Sequence, residues 1–150
     1  MQGILEFVAK RLPERVISVD GDVYLRRYYV CGRLTTSKMP AARERLRWLP
    51  TVYLHKFTRP DRDRALHNHP WKWACSVILS GSYDEEFMRF GKIRTRRVRL
   101  VNYIRHSTFH RISNIHGCMW SLFIAGEKVS SWGFKDRDTG EFTHWDSYIE

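Results

Sequence analysis

Residues 67–81 read HNHPWKWACSVILSG, a pair of histidines followed by an apolar run that ends at a glycine. One residue separates His67 from His69. Because alternate side chains of an extended strand point to the same face, both imidazoles can bind one ion. The run WACSVILS is rich in apolar and β-branched residues and is typical of a strand. The stretch therefore predicts a β-strand beside a pair of metal-binding imidazoles.

A third imidazole follows downstream, in the segment RHSTFHRISN at residues 105–114. His110 precedes an apolar run, so a neighbouring strand can deliver it to the first two histidines. Three imidazoles form a facial ligand set that leaves open coordination positions for water, substrate or oxygen. His106 lies four residues earlier, at the mouth of the same segment, and is a candidate pocket residue.

The remainder of the chain also favours β structure. From residue 52 onward, strand-like runs alternate with Pro, Gly, Asn or Asp clusters, at intervals that suit an all-β barrel or sandwich. Tight turns are predicted at residues 20–22 (DGD), 80–81 (SG) and 138–140 (DTG). Helical spacing predicts one short helix at residues 2–12, and Pro40 indicates a second at residues 37–47. The prediction is a mainly β fold with one or two short N-terminal helices.

The composition is that of a folded single domain. The chain has 150 residues, 43% of them hydrophobic, which suits one core over residues 1–150. No apolar run approaches the length of a membrane span, and the N-terminal segment is too charged for a secretory signal. The three cysteines are scattered and suit a reducing compartment. We therefore expect a soluble, cytoplasmic protein with no membrane partner.

The formal net charge is +10, from 26 Lys and Arg against 16 Asp and Glu. This balance favours an anionic partner, such as a nucleotide, a phosphosugar or a nucleic acid, although a solvated basic surface has the same composition. The sequence carries no zinc-finger, helix-turn-helix or RNA-recognition signature. Charge alone therefore leaves a small anionic molecule and a nucleic acid both open as partners.

The two histidine segments resemble the paired motifs of the cupin superfamily. The first cupin motif has the form G-x5-HxH-x(3,4)-E-x6-G and is similar to residues 67–81. The second, P-x-G-x2-H-x3-N, is similar to residues 105–114, with His110 at the matching position. The resemblance covers residues 50–126 and extends more loosely to small cupin-like proteins of bacteria and bacteriophages. It implies a cupin-type jelly-roll β-barrel on which residues 1–50 pack.

The resemblance also implies a metal site, although the chain departs from both motifs. Asp61 stands at the opening glycine of the first motif, and Arg105 and Ser107 stand at the proline and glycine of the second. His67, His69 and His110 stand at ligand positions, but Trp73 and Ala74 occupy the place of the motif glutamate. Three histidines without a carboxylate are similar to the site of the cysteine-dioxygenase group of thiol dioxygenases. The implied cofactor is a divalent metal, with Fe(II) as the first choice and Zn, Ni or Mn as alternatives.

Another carboxylate can fill the space of the missing glutamate. If residues 80–81 form a two-residue hairpin turn, the flanking residues pair across it and Ser76 lies opposite Glu85. This register aims Glu85 into the barrel, as a fourth ligand or as an acid/base near the metal. A one-residue slip would send Glu85 to solvent and make Asp84 or Glu86 the candidate instead.

The candidate pocket and anion-binding residues come from aromatic, basic and polar side chains of the strand-rich region. Ligand cavities are mostly apolar with a few polar anchors, and arginine binds carboxylates and phosphates with two hydrogen bonds. The candidate pocket residues are Tyr83, His106, Trp71, Trp73 and Trp120. The candidate anion-contacting residues are Arg105, Arg97 and Arg99.

These features favour a metal-dependent cupin enzyme, a non-haem Fe(II) dioxygenase that acts on a small anionic substrate. One alternative is a metal-dependent isomerase or epimerase of a sugar nucleotide or phosphosugar, with Glu85, Tyr83 or a histidine as the base. The other is a basic cupin module that binds or modifies nucleotides or nucleic acid. Cupins often pair through strands at the barrel edge, so the resemblance also implies a homodimer as a candidate assembly.

Overall fold

The computed structural model describes residues 2–19, 21–32, 50–62, 64–129 and 131–148. Over these residues the chain forms one helix and ten strands, so the predicted mainly β fold is confirmed. In chain order the elements are α1 (Gln2–Ala9), β1 (Glu14–Val19), β2 (Asp22–Cys31), β3 (Thr51–Phe57), β4 (Leu66–His67), β5 (Trp73–Arg89), β6 (Lys92–Val98), β7 (Val101–Arg105), β8 (His110–Ala125), β9 (Gly133–Lys135) and β10 (Phe142–His144).

The long strands β5 and β8 form the centre of one sheet. They pair in antiparallel fashion from Ala74 opposite Ala125 to Phe87 opposite His110. The other edge of β8 pairs with β3 at one end and with β4 at the other. Strands β2 and β1 continue the sheet from β3, β9 and β10 continue it from β4, and β6 and β7 pair with β5. The sheet curls, and its inner face encloses a cavity.

The predicted hairpin at residues 80–81 is wrong, because β5 continues through them without a turn. Gly81 adopts a φ of 72°, and the pairing of β5 with β8 shifts register on both sides of Ser80. Since β8 has 16 residues, it offers hydrogen-bonding partners along almost all of β5, and the backbone stays paired. The irregularity changes which face the later side chains occupy. Glu85 therefore shares the inner face with Ser76, as the hairpin register also required.

The hairpin that follows β5 turns instead at Phe90 and Gly91. These residues have φ angles of 52° and 71°. Two successive positive φ angles match a type I′ turn, whose twist suits a two-residue hairpin. Of the turn predicted at residues 20–22, Gly21 lies between β1 and β2, and Asp20 lies outside the described residues. The turn predicted at residues 138–140 lies between β9 and β10.

Helix α1 covers the outer face of the sheet. Its Ala9 is buried against Tyr28, Leu54 and Trp120. The helix begins as predicted and ends at Ala9, whereas the helix predicted over residues 37–47 lies outside the described residues. In the described part of the chain, no helix combines the length and the apolar character needed to cross a bilayer.

The inner face carries two clusters of buried apolar side chains. One contains Tyr53 and Phe123, and the other contains Ile112 and Met119. Phe123 and Ile112 also line the cavity. The core of the barrel is therefore continuous with the walls of the cavity.

We expect Gly81→Ala to destabilise the protein more than Gly91→Ala. The two glycines have φ angles of 72° and 71°, so either substitution costs about 1–2 kcal/mol in backbone strain. A Cβ on Gly81 would lie 2.8 Å from the carbonyl oxygen of His116, whereas nothing lies within 4 Å of a Cβ on Gly91. This crowding adds about 1–3 kcal/mol at Gly81 alone. Urea unfolding measures both losses, and equal values would contradict the close approach at Gly81.

Candidate metal centre

Three imidazoles meet on the inner face of the sheet. His67, on β4, lies opposite His110, the first residue of β8, and His69 follows β4 closely. The three ring centroids are 5.1–5.2 Å apart. The Nε2 atoms of His69 and His110 are 2.9 Å apart, and one ring nitrogen from each histidine lies within 4.8 Å of the others. The structure thus brings together the three histidines that the sequence indicated.

The residue between the first two histidines anchors their backbone. The buried side chain of Asn68 accepts a hydrogen bond from the Gly133 amide at 2.9 Å and donates one to the His106 carbonyl at 3.2 Å. His106 Nδ1 in turn donates to the carbonyl oxygen of His69 at 2.7 Å. His106 therefore supports the backbone of His69 and does not line the cavity, contrary to the expectation that it is a pocket residue.

A fully buried carboxylate holds His110. The Oε1 atom of Glu85 lies 2.6 Å from Nδ1 of His110. A carboxylate only accepts hydrogen bonds, so Nδ1 of His110 carries the hydrogen, and Nε2 is the atom that faces His69. Asn102 donates to the same oxygen of Glu85 at 2.7 Å, and Arg96 Nε donates to the other oxygen at 2.7 Å. Glu85 thus lies behind His110 rather than at the expected position of a fourth ligand.

These contacts control the charge of the site. Burial by itself raises the pKa of Glu85, but the hydrogen bonds from its three donors, first that from His110, leave the pKa below its ordinary value. Burial lowers the pKa of His69 well below its ordinary value, and the charges of His110 and His67 lower it further. The site therefore combines an ionised carboxylate with a neutral imidazole at His69, and neutral imidazoles bind metal ions.

The nitrogen atoms have a spacing that fits a divalent transition metal. Bonds from such metals to imidazole are about 2.0–2.1 Å long, so two nitrogens bound at right angles lie about 3 Å apart. The 2.9 Å between the Nε2 atoms of His69 and His110 matches this separation. Imidazole donors suit Zn, Cu, Fe and Ni. His69 and His110 therefore have the donor type and the spacing to hold one such ion, and His67 brings a third imidazole nitrogen within 4.8 Å of theirs.

The histidines line a cavity of about 560 Å³. This volume accommodates a small organic molecule. Trp71 packs on His69 with ring centroids 5.5 Å apart. Trp132 and Phe134 pack on His67 at 6.4 and 6.2 Å. Aromatic side chains therefore surround the imidazoles on more than one side.

Only some of the candidate pocket residues line this cavity. Trp71 and Tyr83 do. Trp73 and Trp120 lie on the outer face instead, because each is next to an inward-facing residue on its strand. Trp120 is buried beneath α1, and Trp73 packs over Gly126. Both tryptophans lie in segments with the composition of a strand, and composition does not indicate which face of the sheet a side chain occupies.

The three candidate anion-contacting arginines lie outside the cavity. Arg97 is exposed and forms an ion pair with Asp84 at 2.8 Å. Arg99 is exposed between β6 and β7, and Arg105 is exposed at the end of β7. The arginines that line the cavity are Arg15, Arg27 and Arg62. They come from segments in which the sequence shows no motif.

The C-terminal hairpin supplies aromatic cavity residues that the sequence analysis missed. Trp132, Phe134 and Trp145 all line the cavity. The rings of Trp132 and Trp145 stack with planes 5° apart. Trp132 and Phe134 are two residues apart, and this spacing predicts that they share one face of a strand. The turn of this hairpin was predicted from the sequence. Its packing against β4 depends on long-range pairing that no local pattern predicts.

Solved structures of two kinds of enzyme share this arrangement of strands. A structure of Fe(II)-HppE with the alternative substrate (S)-1-HPP has a TM-score of 0.55 at 10% identity, over 79% of this chain and 57% of that chain. Hydroxypropylphosphonic acid epoxidase from S. wedmorenis has a TM-score of 0.53 at 10% identity, over 79% and 56%. Oxalate decarboxylase from Bacillus subtilis has a TM-score of 0.55 at 10% identity, over 80% and 28%. The fold is a cupin-type β-barrel.

At 10% sequence identity, the similarity between this chain and the solved structures shows a shared fold and nothing more. The chain spans 57% of the length of the HppE structure and 28% of that of oxalate decarboxylase. No protein-family model and no curated protein sequence matches the chain. The evidence for the function of this protein therefore comes from its own side chains.

We expect Glu85→Gln to lower the free energy of unfolding by about 1–3 kcal/mol, because the amide nitrogen of glutamine would face one of the buried donors that the carboxylate accepts from. Glu14→Gln is the matched control. Glu14 and Glu85 each lie 2.7 Å from an arginine nitrogen, but the Glu14 side chain is 34% exposed and that of Glu85 is 0% exposed. The exposed pair contributes about 1 kcal/mol or less. Chemical denaturation measures both, and a Glu85→Gln loss no larger than that of Glu14→Gln would contradict a central role for the buried pair.

Proposed function

We propose that this protein is a metal-dependent cupin enzyme in which His67, His69 and His110 hold one divalent ion. The observation that carries the proposal is the convergence of the three imidazoles on the inner face of the barrel, with Nε2 atoms 2.9 Å apart in one pair. The buried Glu85 supports it, because a carboxylate behind a histidine selects the tautomer that binds metals.

Fe(II) is the first choice of metal, and the proposed reaction is a dioxygenase reaction on a small anionic substrate. One of the solved structures with this fold contains Fe(II). A bound ion of this kind supplies open coordination positions for oxygen and substrate. The side chains of the cavity would hold and orient the substrate, and its aromatic walls would limit access of water.

The isomerase or epimerase alternative requires a base in the cavity. Glu85 is held by three hydrogen-bond donors and does not line the cavity. Burial and the nearby Glu85 carboxylate raise the pKa of Tyr83, so its hydroxyl keeps its proton. These contacts favour the oxygenase over an isomerase that uses either residue as its base.

The metal content of the purified protein tests the site. Purified without chelators, the wild-type protein should contain about one divalent ion per chain, whereas His67→Ala and His110→Ala should lose most of it, because a site with two imidazoles binds far more weakly. His116→Ala is the matched control, since His116 lies on β8 like His110 but pairs with Asp84 outside the cavity. Elemental analysis measures the ion, and equal metal content in all four proteins would refute the proposed site.

Nitric oxide and oxygen test the chemistry. The Fe(II)-loaded protein should bind nitric oxide at an open coordination position, with a change of colour and of the electron paramagnetic resonance spectrum, and His110→Ala should not. With a panel of small carboxylic and phosphonic acids, turnover should consume oxygen, which an oxygen electrode measures. Substrate conversion without oxygen consumption would instead support the isomerase alternative.

A further inference from the structure

A row of basic and polar side chains crosses the inner face of the barrel beside the three histidines. In the strand register, Arg15 on β1 lies opposite Arg27 on β2, and Arg27 lies opposite His55 on β3. Directly paired residues of antiparallel strands project to the same face. All three residues line the cavity. The register therefore places two guanidinium groups and a histidine side by side in the cavity wall.

Arg27 is held in place, but none of the described residues acts as its counter-ion. Its Nε donates a hydrogen bond to Nε2 of His55 at 3.0 Å, and its guanidinium lies over the ring of Tyr53 at 4.8 Å. Within the described part of the chain, no carboxylate lies within ion-pair distance of it. Its terminal nitrogens are the two that can bind an oxyanion through parallel hydrogen bonds.

His55 orients Arg27 without neutralising it. Because arginine only donates, Nε2 of His55 is the acceptor, and in the neutral ring Nδ1 carries the hydrogen. Burial lowers the pKa of His55 well below its ordinary value, and the charge of Arg27 lowers it further. Nδ1 is buried with no hydrogen-bond partner. The pair thus presents donors to the cavity wall and no negative charge.

The other charges of the cavity do not compensate Arg27. Burial lowers the pKa of Arg27, and the charge of Arg15 also lowers it. Asp61 is the one acidic residue among the described lining residues. Its carboxylate accepts a hydrogen bond from the Ile112 amide at 2.6 Å and one from the Tyr24 hydroxyl. A bound anion would relieve the repulsion between the two arginines.

We propose that Arg27, positioned by His55 and flanked by Arg15, binds the oxyanion group of the substrate, a carboxylate or a phosphoryl group. This inference rests on the proposed function in one respect, because it takes the bound anion to be the substrate of the enzyme. The anion site lies next to the metal centre, because His55 packs on Phe123 at 5.1 Å and Phe123 packs on His69 at 6.0 Å. A small molecule held at Arg27 by its acidic end extends toward the three imidazoles.

Binding of simple anions tests this site without knowledge of the substrate. The full-length protein is titrated with inorganic phosphate, methylphosphonate and acetate, once loaded with Zn²⁺ and once metal-free, by calorimetry and by NMR of the arginine side-chain Nε–H groups. We expect at least one anion to bind and to shift the Arg27 signal. Arg27→Gln should weaken binding by at least about tenfold, because the charge-assisted hydrogen bonds are lost.

Arg26→Gln is the matched control. Arg26 is the neighbour of Arg27 on β2, projects to the opposite face and forms an ion pair with Glu14 at 2.7 Å. Arg26→Gln changes the net charge by the same amount as Arg27→Gln. It should leave the dissociation constant unchanged. Equal weakening by both variants, or no binding of any of the three anions, would overturn the proposal. Preference for phosphate and methylphosphonate over acetate, or the reverse, identifies the acidic group while supporting the site.

The two proposals can fail separately. The metal-free titration and its repetition in His67→Ala report on Arg27 whether or not the histidines bind an ion. Anion binding that persists in these samples and is lost in Arg27→Gln supports the anion site even if the protein holds no metal. Anion binding to the Zn²⁺-loaded protein alone, unchanged in Arg27→Gln, would assign the anion to the metal and overturn the role of Arg27.

Discussion

A carboxylate removed from water must be surrounded by donors, and this requirement organises the candidate metal centre. Glu85 meets it with hydrogen bonds from His110, Asn102 and Arg96, which come from β8, β7 and β6. The buried carboxylate of Glu85, on β5, therefore connects three other strands. It also sets the orientation of His110, which lies opposite His67 on β4. The stability of the barrel and the geometry of the three imidazoles depend on the same hydrogen bonds.

The placement of Glu85 depends in turn on the path of β5. The strand has 17 residues and pairs with β8 from Ala74 to Phe87, and the irregularity at Gly81 decides which of its later side chains face inward. Gly81 packs against the backbone of β8 so closely that a Cβ has no room. Among the described strands, the longest thus requires a glycine in its middle to keep its register, and the candidate metal centre depends on that register.

The charge of the molecule is divided between its surface and its cavity. On β6, Arg97 forms an ion pair with Asp84 at the surface, and the half-exposed Arg96 forms one with the buried Glu85. Arg27 is different, since it is paired with the neutral His55 and lies beside the cavity. An excess of positive charge inside a cavity attracts anions far more specifically than the same charge on a solvated face. This distinction supports a small anionic molecule as the ligand of the barrel.

Local patterns in the sequence were sufficient for the mainly β fold, the N-terminal helix and the three histidines. Residue composition and the two-residue spacing of His67 and His69 depend only on neighbours in the chain. The same patterns placed Glu85 inward, although through a hairpin that does not form. They failed for Trp120 and for the arginines of the cavity, because those depend on strand order and register.

What the sequence by itself determined is the set of chemical groups and the alternation that lets two imidazoles share a face. The tertiary structure decided which carboxylate stands behind His110, which arginines reach the cavity and which aromatic rings close it. These choices depend on pairing between strands far apart in the chain, such as β2 with β3 and β4 with β9. A shift of one residue in such a pairing moves a side chain to the opposite face of the sheet, and local sequence carries almost no record of it.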